Sequence, residues 1–475
     1  YEAAVLQRLA GNFGKAPDKK MDPERYAKVP AFFLRHRPED EVDDITWNDL
    51  EMDRIYQRMD ATLSGAGEEY LYALLRSPAS GDAGKDRLQI PQETIRYFER
   101  EENRDVREKL QRALYRFGHA GKYSLYEYLE MLDDVPKENN LVHLPAFLLP
   151  LVSIVILAAN VQAGILCLIG SLVLNMVTYY HRKGQIDPYL TSLAYLLRMM
   201  RCADEVTSVS CPVLEEEKKC LQDLKPVFAD FRRGSGVVLS GSSVSGGNPL
   251  DIVMDYVRIL FHLDLIRFNS MLSLVRAHQR EIDLALTVLG RIDTAISLAS
   301  FEKSLPVTCI PEFTDGETQE GTKRPSAFTG ASGHGEDENR QRGGELCIRG
   351  LYHPLLADPV PNSIDAKRPV LLTGSNASGK STFLKAAALC AILAQTIGFC
   401  PAEGYRGVHY RIRSSMALRD NILNGESYFM VEIRSLKRIA DLSADGGRKV
   451  LCFVDEVLRG TNTVERIAAS TEILR

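Results

Sequence analysis

The run Gly374-Ser-Asn-Ala-Ser-Gly-Lys-Ser381 constrains the fold of this chain more than any other feature. It follows the apolar run Val370–Thr373 and precedes helix-forming residues from Thr382 to Ala394. A glycine-rich GxxxxGK[ST] loop between a buried strand and a helix wraps backbone N–H groups around phosphates, and the helix N-terminus adds positive potential. The alternative is a structural glycine-rich turn. The flanking strand and helix patterns favour a phosphate-binding loop in an α/β P-loop NTPase domain.

The loop pattern assigns candidate roles to individual residues. Lys380 is predicted to reach the β- and γ-phosphates of ATP, and Ser381 to bind Mg2+. The predicted cofactors are therefore ATP and Mg2+. The predicted nucleotide-binding residues are Gly374, Ser375, Asn376, Ala377, Ser378, Gly379, Lys380, Ser381 and Thr382.

A second apolar run, Val450–Val454, ends in the acidic pair Asp455 and Glu456. Alone, this pattern is more typical of a strand that leaves the core. Beside a phosphate-binding loop, a carboxylate at the end of a buried strand supports Mg2+, and the next one polarises the attacking water. We therefore predict Asp455 as a metal-binding residue and Glu456 as catalytic, together with Lys380.

Three motifs together carry a family resemblance. They are Gly374–Thr382, Ser427-Tyr-Phe-Met-Val-Glu-Ile433 and Asp455-Glu-Val-Leu-Arg-Gly-Thr461. With His353-Pro354 and Pro401-Ala402, their order and spacing resemble the ATPase domain of the MutS family of DNA mismatch-repair proteins. The resemblance is best from Leu346 to the end of the chain.

In that family, as in the related ABC ATPases, two subunits sandwich the nucleotides. The resemblance implies a homodimer through the ATPase domain, in which Ser427 reaches the γ-phosphate bound by the opposite subunit and is catalytic. A solvated loop serine is the alternative. Arg459 either contacts the partner subunit or is a surface arginine, and Gly460 with Thr461 forms a turn and N-cap. Double-stranded DNA is a further partner that the resemblance implies.

Weaker similarity extends into the helical part of the chain. Asp49–Arg76, predicted as one helix, looks like the start of the family's core, and Leu289–Ser300 like its junction between lever and ATPase. The pattern departs from the family elsewhere: the region before Asp49 is too short for a mismatch-reading domain, and no Phe-x-Glu wedge occurs. The segment Gly234–Gly247 is too short for a DNA-clamp insertion. We expect the switch histidine and dimerising helices beyond Arg475, in a missing C-terminal portion.

No Asp, Glu, Lys or Arg occurs between Asn139 and His181, although 25% of the chain is charged. This stretch divides into Leu141–Ala159 and Ala163–Tyr180, each near the roughly 20 residues that cross a bilayer. Arg182 and Lys183 flank one end, and Tyr179 and Tyr180 are placed at an interfacial depth. The pattern predicts a transmembrane hairpin. A buried hairpin in a soluble core is the alternative, favoured by Pro145, Pro150 and Asn175.

Composition and periodicity complete the predicted organisation. The net charge of -5 gives no bulk electrostatic reason to bind nucleic acid. Nine cysteines without a CxxC pair indicate reduced, buried thiols in a cytosolic setting. The run from Pro249 to Phe301 predicts a lever of about 75 Å if unbroken. The predicted segments are a helical core 1–140, the hairpin 141–181, a helical core and lever domain 184–305, a flexible linker 306–345 and the ATPase domain 346–475.

These features support three functional hypotheses. The first is a MutS-like ATPase related to mismatch repair, anchored at the cytoplasmic face of the cell membrane, since both flanks of the hairpin must face ATP. The second is a nucleotide-switched protein that tethers DNA at the membrane. The third is a mechanical or transport-associated ATPase that does not recognise mismatched DNA.

Overall fold

The computed structural model describes most of the chain. The described residues are 2–17, 19, 22–82, 88–120, 124–135, 139–233, 257, 259–315, 346–375, 378–416, 428–457 and 462–473. The connection 234–247 and most of the predicted linker 306–345 lie outside them.

Short helices joined by tight turns form the N-terminal part of the core. Their bounds are α1 Glu2–Asn12, α2 Pro23–Tyr26, α3 Ala31–Arg35, α4 Asp44–Asp49, α5 Met52–Met59, α6 Gly65–Arg76, α7 Gln92–Glu99, α8 Arg104–Phe117 and α9 Leu125–Asp134. The prediction of one helix over Asp49–Arg76 is wrong, because the chain breaks twice. Glu51 has a left-handed φ of 52°, and the segment between α5 and α6 is held by side-chain acceptors instead of helical bonds.

Those acceptors belong to the helix that the sequence predicts as a lever. The Asp293 carboxylate accepts hydrogen bonds from the backbone N–H and the hydroxyl of Ser64, at 2.8 and 2.6 Å. Close approach of the two helices requires glycine on both: a Cβ on Gly67 would lie 2.4 Å from Asp293 Oδ2, and one on Gly290 would lie 2.6 Å from the Ala66 carbonyl. The two segments with weak family similarity therefore pack against each other.

The uncharged stretch forms two antiparallel helices, α10 Leu144–Ala159 and α11 Val161–Ser208, preceded by a 3-10 turn over Asn140–His143. The turn falls at Asn160, as predicted, and the Asn160 side chain caps α11. The sequence-predicted boundary at residue 184 is not a break, because α11 continues for 48 residues, or about 70 Å. Its first half is apolar and exposed, and its second half is buried in the core from Leu193 to Val206.

A buried polar network holds the base of this hairpin. The Asn175 side chain donates to the carbonyls of Ala146 and Leu260, at 2.9 and 3.1 Å. Tyr179 donates to Asp264 at 2.6 Å, so Tyr179 is buried and does not take the interfacial position predicted for it; Tyr180 is exposed. Asn175, which favours a soluble hairpin in the sequence, is thus satisfied inside the protein.

Within the described residues, the predicted lever is interrupted at His262 and at His278. After α12 Glu215–Asp223 and α13 Lys225–Arg232, the chain forms α14 Leu263–Ala277 and α15 Gln279–Lys303. His262 has a left-handed φ of 52°, and the His278 N–H is shared between the carbonyls of Leu274 and Val275. Because both positions leave helical geometry, the unbroken 75 Å lever is not formed.

In the C-terminal part, the described residues form two small sheets and three helices. Their bounds are β1 Glu312–Phe313, β2 Leu346–Leu351, β3 Asn362–Ala366, α16 Lys380–Thr396, β4 Gly404–Gly407, β5 Arg411–Ser415, α17 Tyr428–Ala444, β6 Val450–Val454 and α18 Thr463–Ile473. A four-stranded sheet has the order β1-β4-β2-β3, and a two-stranded parallel sheet pairs β5 with β6. Strand β1 lies within the predicted linker 306–345, and its residues 312–313 pair with β4.

The predicted buried strand Val370–Thr373 is not formed. Val370 and Leu371 are 56% and 78% exposed, and the segment belongs to neither sheet. An apolar run becomes a buried strand only where a neighbouring strand and a covering layer are available. Two other elements predicted around the glycine-rich loop are confirmed: a helix begins at Lys380, and Val450–Val454 is a strand.

Candidate functional site: the phosphate-loop region

Helix α16 presents the glycine-rich loop at the protein surface. Its C-terminal half, from Ala386 to Thr396, is buried, whereas Ser381 and Thr382 at its start are exposed. Gln395 fixes the buried end: its side chain donates to the Tyr410 carbonyl at 2.9 Å and accepts from the Tyr410 N–H at 2.7 Å. A rigid, buried helix therefore carries a solvent-accessible loop.

Lys380 folds back over this loop. Its ammonium group donates to the carbonyls of Gly374 and Ser375, at 2.9 and 2.6 Å. Gly379, immediately before the helix, has φ of +88°, a left-handed conformation that glycine adopts without a steric penalty. The predicted residues Asn376 and Ala377 lie outside the described residues.

The two predicted metal-binding residues are in direct contact. The Ser381 hydroxyl donates to Asp455 Oδ2 at 2.6 Å. Asp455 follows β6, and its backbone N–H donates to the carbonyl of Ser415 at the end of β5, at 3.0 Å. Since the residues are 74 positions apart, the fold brings the start of α16 and the end of β6 together. Both side chains offer oxygen atoms, which are the ligands Mg2+ prefers.

Glu456 occupies a strained backbone position beside this pair. Its φ is 52°, which is uncommon for a residue with a side chain. Such conformations cost of the order of 1–3 kcal/mol and cluster at functional sites. The strain is consistent with the predicted catalytic role, which stays a prediction.

Other predicted residues cannot be placed. Ser427, Arg459, Gly460 and Thr461 lie outside the described residues. The N-cap of α18 is one residue later than predicted: the Asn462 side chain accepts from the Glu465 N–H at 2.9 Å. Helix α17 starts at Tyr428, directly after Ser427.

A contact between the N-terminal core and the β5–β6 sheet is the feature that sequence reasoning missed. Asp49 is buried, and its Oδ2 accepts from the Ser414 hydroxyl at 2.7 Å and the Met416 N–H at 2.9 Å. Glu51 pairs with Lys385 on α16 at 2.8 Å, and the Lys385 and Arg54 cations lower the pKa of Glu51 to about 2. The core therefore touches β5, which pairs with the strand β6 that precedes Asp455, and it also touches the helix that carries Lys380 and Ser381.

Further ion pairs extend this contact. Asp43 pairs with Arg413 and Arg438, and Asp40 pairs with Arg411 and Arg448. The acidic residues of the N-terminal segment are visible in the sequence. Their arginine partners are 370 to 408 positions away, so no local pattern could have identified the pairs.

Replacing Asp49 with Ala should loosen this contact. The change leaves the Ser414 hydroxyl and the Met416 N–H buried without their acceptor, at a cost of about 1–3 kcal/mol for each unsatisfied group. We expect amide hydrogen exchange in residues 411–416 to accelerate by about 30-fold or more, which corresponds to about 2 kcal/mol. Asp49→Asn keeps an acceptor oxygen and serves as the control. Equal protection in the Ala variant and the wild type would contradict the assigned role.

The comparisons with known proteins fall on this region. Residues 370–475 match the family described as MutS domain V. The chain is similar to the DNA mismatch repair protein MSH3 of Phaeosphaeria nodorum, with 39% identity over 140 residues, covering 27% of this chain and 12% of that protein. It is also similar to the DNA mismatch repair protein MutS of Pseudothermotoga lettingae, with 38% identity over 133 residues, covering 26% of this chain and 16% of the relative.

A longer match covers more of the chain. The DNA mismatch repair protein msh3 of Botryotinia fuckeliana is 29% identical over 219 residues, covering 44% of this chain and 17% of that protein. The matched parts are thus less than a fifth of each relative's length. The residues that match MutS domain V, 370–475, contain the glycine-rich loop, Ser381, Asp455 and Glu456.

Proposed function

We propose that this chain is a MutS-like, Mg2+-dependent ATPase related to mismatch repair. The observation that carries the proposal is the contact of Ser381 with Asp455 at 2.6 Å, beside Lys380 on the glycine-rich loop. The similarity of residues 370–475 to MutS domain V supports the same function. The products of the reaction would be ADP and phosphate.

Each residue has a distinct task in this proposal. Ser381 and Asp455 would hold Mg2+, which neutralises charge on the β- and γ-phosphates when it is bound. Lys380 would exchange its bonds to the loop carbonyls for bonds to phosphate oxygens, and so stabilise the charge that develops during transfer. Glu456 would orient a water molecule for in-line attack and accept its proton.

We propose further that two copies of the chain act together. Ser427 would complete the site of the partner subunit from the start of α17, and the core contact through Asp49 and Glu51 would transmit the nucleotide state to the helices. Double-stranded DNA is the proposed cargo, because the relatives with similar sequence are DNA mismatch repair proteins.

Membrane attachment is the third part of the proposal. Among the described residues, three helices are long and apolar enough to span a bilayer: Asn140–Ala159, Val161–Ile186 and Gln279–Lys303. The last is 83% buried in the protein, whereas the first two are 22% and 17% buried. Val155 and Leu166, 71% and 72% exposed, lie near the hairpin tip. An apolar surface of this extent fits lipid better than water, which supports membrane attachment. We propose the cytoplasmic face of the cell membrane, because both flanks of the hairpin would then face ATP.

A second candidate function is a membrane-coupled mechanical ATPase that does not read mismatched DNA. The continuity of α11 favours it, because one helix of 48 residues joins the exposed apolar hairpin to the buried core. The negative net charge of -5 also gives no general attraction to DNA. A nucleotide-switched protein that tethers DNA at the membrane is a third candidate. For this function we expect salt-sensitive binding to duplex DNA.

One experiment separates these functions. Membranes that contain the protein are extracted with alkaline carbonate, and the ATPase rate of the protein is measured in detergent with homoduplex or mismatched DNA. Membrane retention with mismatch-stimulated turnover supports the repair function. Retention with DNA-indifferent turnover supports the mechanical ATPase, and salt-sensitive duplex binding without mismatch preference supports the tether. Release from the membrane would contradict the anchor, and absence of Mg2+-dependent turnover would contradict the ATPase.

A further inference from the structure

Two cysteines from distant parts of the chain lie face to face where the long helix α15 meets the ATPase region. Cys309 lies between the end of α15 and β1, and Cys400 lies between the end of α16 and β4. Their backbones exchange two hydrogen bonds, each of 3.1 Å, and form an isolated antiparallel bridge. Their sulfur atoms are 3.6 Å apart.

This geometry is close to that of a disulfide. Directly opposed, hydrogen-bonded residues of an antiparallel pair have Cα atoms about 5.5 Å apart, inside the range of about 4.4–6.8 Å found for disulfides. The sulfur atoms would need to approach by about 1.5 Å, which side-chain rotation supplies without moving the backbone. We propose that Cys309 and Cys400 form a reversible disulfide that fastens the end of α15 to the end of α16.

The oxidant that we assign is a small disulfide such as glutathione disulfide. Cys309 is partly exposed and Cys400 is fully buried, so Cys309 is the point of attack. The Cys309 thiolate attacks one glutathione sulfur and releases one glutathione thiol. The Cys400 thiolate then attacks the Cys309 sulfur of the mixed disulfide and releases the second. Two cysteine thiols and one glutathione disulfide thus become one protein disulfide and two glutathione thiols.

The environment of the Cys309 thiol makes disulfide formation slow at neutral pH. The hydrogen bond with Cys400 and burial raise the pKa of the Cys309 thiol well above its usual range, so little thiolate is present at neutral pH. The protein therefore stays reduced in a cytosolic thiol pool and responds to sustained oxidation. Formation of the disulfide should accelerate as the pH rises, because the thiolate is the attacking species.

The bond would strengthen a contact that already exists. The rings of Phe301 on α15 and Phe399 beside α16 have centroids 6.1 Å apart, and Tyr352 donates to the Val307 carbonyl at 2.6 Å. A covalent link at this point restrains any movement of α15 relative to the helix that carries Lys380. Slower ATP turnover in the oxidised protein is expected, and this consequence rests on the proposed ATPase function. Formation of the disulfide does not depend on that function.

The test uses the full chain in detergent, incubated with glutathione disulfide at mildly alkaline pH. Free thiols are then alkylated, and peptides are mapped by mass spectrometry with and without dithiothreitol. We expect a reducible cross-link between the peptides that contain Cys309 and Cys400. Cys400→Ser should abolish it, and Cys167→Ser, which removes an exposed thiol in the hairpin, should not. Cys390 also lies beside Cys400, so Cys390→Ser is a second control that should keep the cross-link.

The outcomes separate this inference from the proposed function. Two freely alkylated thiols after oxidation, or a bond that maps to Cys390 and Cys400, would overturn the assignment. The proposed restraint of α15 is supported if the bond is mapped and ATP turnover of the wild type falls several-fold on oxidation and recovers with dithiothreitol. Turnover of Cys400→Ser should not fall on oxidation. A mapped bond with unchanged turnover overturns the restraint. A mapped bond in a protein that never hydrolyses ATP contradicts the ATPase function and leaves the disulfide standing.

Discussion

Replacing Glu456 with Gln should abolish most ATP turnover and leave ATP binding intact. The amide keeps the size of the side chain and still orients a water molecule, but it cannot accept a proton. Removal of a general base lowers a rate by about 100- to 10,000-fold. Because Glu456 has the left-handed φ of 52° and Gln bears the same backbone strain, the variant should fold as the wild type does. Phosphate release and binding of a fluorescent ATP analogue measure the two effects separately.

The matched control is Glu465→Gln, which removes a carboxylate from the exposed first turn of α18, nine positions away. Its turnover should equal that of the wild type. If Glu456→Gln hydrolyses ATP at the wild-type rate, Glu456 is not the base and the role of Asp455 and its neighbours has to be reassigned. If it loses binding as well, the residue is structural.

Sequence reasoning is most successful for elements whose conformation is determined by a few neighbouring residues. The helix after the glycine-rich run was predicted correctly and begins at Lys380, because a glycine before helix formers depends on local backbone preferences. The hairpin turn at Asn160 was also predicted, since a single polar break divides the uncharged stretch.

Elements that depend on distant partners were predicted poorly. Val370–Thr373 has the composition of a buried strand, yet it lies exposed because pairing is decided by neighbouring strands. The break between α5 and α6 depends on Asp293 and Ser297, which are more than 200 positions away. The Asp49 contact with Ser414 and the pairing of Cys309 with Cys400 also join distant residues, so local sequence could not predict them.

These long-range contacts give the candidate site its connection to the rest of the molecule. Asp49 and Glu51 hold β5 and α16 against the core, and α15 reaches the other end of α16 near Cys400. Helix α16 is thus held in its second turn by Lys385 and at its end by the α15 junction, while its first turn carries Lys380 and Ser381. A change in the position of this first turn would therefore strain both contacts.

Replacing Lys380 with Ala should weaken ATP binding, in contrast to Glu456→Gln. The ammonium group is predicted to pair with phosphate oxygens, and charged hydrogen bonds of this kind contribute about 1.5–3 kcal/mol. The expected loss of affinity is therefore about 10- to 100-fold. Among the described residues of the free protein, the same group bonds to the carbonyls of Gly374 and Ser375 at an accessible surface, so its removal should change the melting temperature little. Equilibrium binding of an ATP analogue and thermal unfolding without nucleotide test the two statements.

Lys385→Ala is the matched control, because it removes a lysine from the same helix whose ammonium group pairs with Glu51 instead of facing the loop. Its affinity for ATP should equal that of the wild type, even if the core contact loosens. Equal affinities of Lys380→Ala and Lys385→Ala would show that the loop does not bind phosphate through Lys380. A large loss in both would instead mean that nucleotide binding depends on the position of α16 as a whole, and that the core contact sets the affinity of the site.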